Sequence, residues 1–136
     1  MKPLPVAIPP WCTTSLQLAL AMSALGRGVD YINDSRPQPG LSVVEAFLPL
    51  DTWGILFTVL GLLMLVGTVA RSFSMLIVSN IAAAAVFAGL GAGILLDASH
   101  RPEFMGFRTG WGLIWGAAAS HAILAVSLML AARMRR

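Results

Sequence analysis

Long runs of apolar residues without a single charge dominate the pattern along this chain. Residues 52–70 give 19 uncharged positions, residues 72–96 give 25 and residues 109–132 give 24. None alternates apolar and polar with the period of an outer-membrane barrel strand. A helix needs about 20 apolar residues to cross a hydrocarbon core of roughly 30 Å. Each run therefore predicts a membrane-spanning helix, the element that satisfies every backbone hydrogen bond internally.

The first apolar segment is less uniform. It carries Pro3, Pro5, Pro9 and Pro10, then Thr13, Thr14, Ser15 and Gln17. Proline fits the first turn of a helix, so a helix starts near Pro10. From Trp11 to Leu25 it would cover only about 22 Å at ~1.5 Å per residue. It must therefore extend to about Val29, thin the bilayer locally or lean on neighbouring helices. A cleaved signal peptide is the rival reading. Residues 16–24 would be its apolar core and Ala19-Leu20-Ala21 its cleavage region, although the proline-loaded leader with only Lys2 as charge argues against it.

The fold class that follows is an all-α membrane protein. It is a single domain over residues 1–136, with spans at about 10–29, 52–70, 73–96 and 110–132 in an antiparallel four-helix bundle. In the first loop, Pro37, Pro39 and Gly40 break any helix. Ser42 and Glu45 then stand at capping-box spacing, with Val43, Val44, Phe47 and Leu48 on one face. Residues 42–48 are thus expected to form a short helix lying in the membrane interface. Phe104, Met105 and Phe107 of the later loop can dip into headgroups in the same way. Trp11, Trp53 and Trp111 stand at span ends, where tryptophan anchors a helix to the interface.

Charge then orients the chain. Lys2, Arg71, Arg133, Arg135 and Arg136 share one side with no acid among them. Arg27, Arg36, Arg101 and Arg108 lie on the other, with all six acids: Asp30, Asp34, Glu45, Asp51, Asp97 and Glu103. Lysine and arginine favour the cytoplasmic side, and the cluster at 133–136 abuts a helix end, where this bias acts most strongly. The expected location is the cytoplasmic (inner) membrane, multi-pass, with both termini cytoplasmic. The formal charge of +3 thus reads as topology. No basic stripe interleaved with aromatics points to nucleic acid, so the lipid bilayer is the expected surrounding.

Small residues recur at four-residue spacing. Gly89 and Gly93 form one pair, Gly112 and Gly116 another, and Ala85 extends the first. Close backbone approach through small residues drives helix association in lipid. These positions serve either packing inside one bundle or the contact of a homo-oligomer or larger membrane complex. Asn80, Ser120 and His121 are polar groups within spans, each costly in hydrocarbon without a partner. The third and fourth spans are neighbours. Asn80 and His121 differ in depth by about 6–8 Å at ~1.5 Å per residue, so pairing requires tilt to close the gap. A midplane histidine serves as interhelical glue or as a proton-responsive group.

Several chemistries lack their residues. No Asp or Glu lies within a span, which argues against a proton- or cation-coupled transporter. Of two histidines, His100 is in a loop, so bis-histidine haem ligation fails. The single cysteine, Cys12, supports neither an internal disulfide nor a thiolate metal site. The glycine run at 89–93 sits inside a span with no lysine after it, unlike a phosphate-binding loop. The expectation is a protein that is not an enzyme, with no cofactor and no metal.

Three short strings stand in a set order. Gly-Arg-Gly-Val-Asp-Tyr ends the first segment at Gly26 to Tyr31. Leu-Ser-Val-Val-Glu follows at Leu41 to Glu45, then Pro49 and the pair Trp53-Gly54 open the second span. This layout, over roughly residues 20 to 125, resembles small four-span membrane proteins of phages that infect actinobacteria. Such proteins often lie near lysis genes and are described as membrane proteins or holins. The resemblance implies a phage or prophage origin and a holin-like role, in which the protein oligomerises and permeabilises the cytoplasmic membrane. It transfers no functional residue. The other expectation is a non-catalytic accessory subunit, such as a host-membrane exclusion factor or a partner of a larger complex.

Overall fold

A computed structural model describes residues 10–33, 47–99 and 111–134. They form four helices: α1 (Pro10–Asn33), α2 (Leu50–Val69), α3 (Phe73–Ser99) and α4 (Trp111–Met134). The protein is all-helical. Segments Leu50–Val69, Phe73–Leu96 and Ile114–Met134 are long and apolar enough to cross a membrane. α1 is long enough in residues, at roughly 36 Å, but it carries the polar groups from Thr13 to Gln17 and then Arg27 and Asp30. It continues through Gly26 and Gly28 to Asn33, four residues beyond Val29.

The helix ends follow local chemistry. Pro10 opens α1 and Pro49 precedes α2, where a missing N–H costs nothing. Asp51 sits in the first turn of α2 and Arg133 in the last turn of α4, each complementing the helix dipole. α2 closes in a Schellman turn. The Ser72 N–H donates to the Gly67 carbonyl at 2.9 Å and the Arg71 N–H to the Thr68 carbonyl at 3.3 Å. Arg71 takes the left-handed position, with φ 51°, that glycine usually fills.

The helices run antiparallel in sequence order. Gly28 of α1 lies against Gly54 and Thr58 of α2, while Ala21 and Leu25 lie against Gly61. α1 and α2 form one closely packed pair and α3 and α4 the other, with α2 against α3 between them. The α1–α2 contact depends on missing side chains. A Cβ on Gly54 would sit 3.0 Å from the Gly28 carbonyl oxygen, and one on Gly61 3.0 Å from the Ala21 carbonyl oxygen. In lipid such backbone approach substitutes for the hydrophobic drive that is missing between apolar helices.

Large apolar side chains cover the outside: Ile55, Val66, Val78 and Ile123 are exposed, while Gln17, Ser79, Asn80 and His121 are buried within an otherwise apolar core. An apolar exterior with its few polar groups enclosed suits a protein whose solvent is hydrocarbon. The rest of the centre is Phe57, Met64, Phe87 and Leu90, all fully enclosed.

The structure separates the side chains of the expected anchors and packing residues. Trp53 is only 8% exposed and belongs to the core, so it does not reach outward as an anchor. It shares the inward face of α2 with Phe57, Leu60 and Met64 at helical spacing. Ala85, Gly89 and Gly116 do not pack inside the bundle. All three are exposed, and a Cβ on Gly89 or Gly116 would meet nothing within 4 Å. Only Gly93 of that set is shown buried. Trp11 is 70% exposed at the start of α1. Trp111 and Gly112 open α4, and their side-chain surroundings lie outside the described residues. Of the segment 42–48, only Phe47 and Leu48 are described, both exposed, and the interfacial helix otherwise falls outside the described residues, as do Phe104, Met105 and Phe107.

Candidate functional site

Three polar side chains buried in the bundle, Gln17, Asn80 and His121, form one connected chain. On α3, the Asn80 Nδ2 donates to the Leu76 carbonyl one turn back at 2.7 Å and to the Gln17 Oε1 of α1 at 3.1 Å. The Asn80 Oδ1 meets His121 Nδ1 of α4 at 2.8 Å. The two side chains thus meet despite the depth gap expected between them. The Gln17 bond joins α1 to α3, two helices that otherwise scarcely touch among the described residues.

Donor and acceptor roles in this chain are determined. A backbone carbonyl only accepts, so the Asn80 atom facing Leu76 is the amide nitrogen, and the oxygen faces His121. An amide oxygen also only accepts. Neutral His121 therefore carries its proton on Nδ1 and leaves Nε2 as a bare acceptor. At the other end, Gln17 accepts through Oε1 and turns its NH₂ away. His121 Nε2 and Gln17 Nε2 are both buried without a hydrogen-bond partner among the described residues. The chain is polarised, with donors at the Gln17 end and a lone pair at the His121 end.

An aromatic ladder crosses the bundle beside it. Tyr31 stacks on Phe57 at 5.8 Å between ring centroids, Phe57 meets Phe87 at 5.3 Å, and Phe87 stacks on His121 at 5.5 Å with 16° between planes. These four rings come one from each helix. The Arg27 guanidinium lies over the Phe87 ring at 5.9 Å. The Arg27 charge thereby gains a π-face. His121 is held from two directions, by Asn80 at Nδ1 and by Phe87 on its face.

Ser120 does not join the chain. Its hydroxyl donates to the Gly116 carbonyl of its own helix at 2.8 Å. Ser79 does likewise toward Leu76, at 3.2 Å. Gln17 is the member that the sequence pattern does not single out, because in a helix with Thr13, Thr14 and Ser15 it is one polar interruption among several. The available signal was that Asn80 and His121 together offer more hydrogen-bonding groups than they can satisfy alone. Among the described residues, no three His, Cys, Asp or Glu side chains gather where a metal could be held. Cys12 is half-buried on α1 and has no partner cysteine.

A cavity of about 830 Å³ lies at the end of the bundle where α1 and α3 begin and α2 and α4 end. Thr13, Thr14, Gln17, Thr68, Arg71 and Ser127 supply its polar lining. Comparison with family models, with curated proteins and with solved structures finds no match for this chain.

Proposed function

We propose that this chain is a multi-pass protein of the cytoplasmic membrane that assembles with further copies of itself and permeabilises the bilayer, as a phage holin does. α1 is the fourth span in this reading. Its antiparallel packing along α2, from Ala21 at Gly61 to Gly28 at Gly54, supports that assignment. So does the burial of Gln17 against Asn80, inside a helix that crosses. Arg71 and Arg133 mark the cytoplasmic end of the bundle, and Asp30, Asp51 and Asp97 belong to the opposite helix ends.

The observation that carries the reading is the outward orientation of Ala85, Gly89 and Gly116. The bundle leaves these small residues unused and packs instead through Gly28, Gly54 and Gly61. Outward small residues at four-residue spacing let the backbone of another helix approach closely in lipid. The same faces would serve the second reading, a tolerated accessory subunit docked on a larger membrane complex. The reading assigns no catalytic chemistry to the chain and no cofactor.

Induced expression of the full chain in a bacterial host separates the two. The holin-like reading expects abrupt growth arrest with collapse of membrane potential at a defined time. It also expects Gly89→Leu with Gly116→Leu to abolish arrest at unchanged membrane levels. Normal growth at high membrane levels would sink it in favour of the accessory subunit.

A further inference from the structure

Half of the residues lining the cavity at the Arg71 end are polar, and hydrocarbon cannot satisfy them. Its walls carry hydroxyls whose protons are already committed. Thr68 Oγ1 donates to the Met64 carbonyl at 2.7 Å and Ser127 Oγ to the Ile123 carbonyl at 2.8 Å. Each hydroxyl oxygen keeps lone pairs for the cavity. Gln17, only 4% exposed, closes the inner end, and its Nε2 is shielded from the cavity. Water, which both gives and takes hydrogen bonds, satisfies the hydroxyl lone pairs and the Arg71 guanidinium, which alkyl chains leave unmet. A water needs roughly 10–15 Å³ and two to four polar partners, and 830 Å³ exceeds that many times over.

The path ends inside the bundle. Beyond Gln17 and Asn80 stand Phe57, Met64, Phe87 and Leu90, which are fully buried and apolar. Charge at the open end has one sign. Among the described residues, Arg71 is the only charged residue of the lining. Asp30, Asp51 and Asp97 belong to the other helix ends, and Asp34, Glu45 and Glu103 lie in the segments that join those ends.

We propose that this cavity is a water-filled vestibule that admits solvent from the Arg71 side down to Gln17, stops at the Phe57–Phe87 barrier, and favours anionic over cationic solutes. The inference rests on the membrane placement of the bundle given above and is independent of whether the protein permeabilises cells.

Cysteine accessibility tests it on the full chain reconstituted in lipid vesicles, with Cys12→Ser as background. Single cysteines go at Ser127 and, one turn deeper on the lining, at Leu124. Val126→Cys, on the outward face of α4, is the reference. Charged, membrane-impermeant methanethiosulfonates are the probes, because they react with thiolates in water and not in lipid. The vestibule predicts that Ser127→Cys and Leu124→Cys react about tenfold or more faster than Val126→Cys, and only with reagent on the Arg71 side. A focused positive potential raises local anion concentration. Arg71→Gln should therefore lower the anionic-to-cationic rate ratio by about threefold.

Uniformly slow reaction at all three positions would make the cavity dry and overturn the proposal. Reaction at Ser127→Cys without reaction at Leu124→Cys would overturn the reach to Gln17. Leu128→Cys, also on the lining, repeats the comparison if either variant fails to fold. An unchanged ratio in Arg71→Gln would overturn the anion preference. Fast reaction at Val126→Cys would instead place the outer face of α4 in water, and the membrane reading itself would fall. None of these outcomes depends on growth arrest.

Discussion

Asn80 is the residue on which the buried polar chain turns, because it alone bonds to both other members. Replacing it with leucine leaves Gln17 and His121 without each of those bonds. An unsatisfied buried polar group costs about 1–3 kcal/mol, whereas an interhelical hydrogen bond in a membrane averages about 0.6 kcal/mol. Asn80→Leu should therefore destabilise the bundle by about 1–3 kcal/mol in a reversible unfolding assay in lipid or detergent. The Asn80/His121 double-mutant cycle should give a coupling of about 0.5–2 kcal/mol. A coupling indistinguishable from zero would mean that the 2.8 Å contact is not a working bond. The tautomer offers a second check at the same residue. Nitrogen-15 chemical shifts of neutral His121 should show a protonated Nδ1 and a bare Nε2. The opposite pattern would require Asn80 to turn over and abandon the Leu76 carbonyl.

At the scale of the helices, glycines that look alike in sequence have opposite roles. Gly54 is enclosed by the backbone of α1, with the Gly28 carbonyl oxygen 3.0 Å from where a Cβ would stand. Gly89 faces open space. Gly54→Leu forces the α1–α2 pair apart and should cost about 1–3 kcal/mol or more, as overpacking does. Gly89→Leu should leave the stability of a single bundle within about 0.5 kcal/mol. Thermal unfolding of the two variants in the same detergent checks the contrast, and equal losses would contradict the helix orientations described above. The spacing of small residues showed that close helix contacts exist. It did not show which glycines make them, since α2, α3 and α4 are apolar on nearly every face and their hydrophobicity singles out no inward side.

For the whole molecule, topology is the property with the widest consequences. In the proposed reading, four spans put both termini on one side of the membrane, and the arginines assign that side to the cytoplasm. Reporter fusions at the two termini should both score as cytoplasmic, with a site in the 34–46 loop scoring as exterior. Opposite sides for the two termini would remove α1 from the membrane and with it the fourth span. The vestibule and the outward small-residue faces would then need a different setting, because both are argued from a bundle surrounded by lipid.

The sequence by itself determined the helical class, the three apolar spans and the scarcity of charged chemistry. A bilayer demands uninterrupted apolar length, and that demand is met locally, residue after residue, with no help from neighbours. It also marked Asn80 and His121, since a polar group in hydrocarbon is conspicuous wherever it falls. Only the tertiary structure decided that α1 supplies Gln17 to bridge them, that Trp53 turns inward, and that Gly28, Gly54 and Gly61 pack while Gly89 and Gly116 look out. Each of these depends on the rotation of one helix against another. In a helix apolar all round, rotation leaves almost no trace in the pattern of side chains and is set by the shapes and hydrogen bonds that meet when the helices assemble.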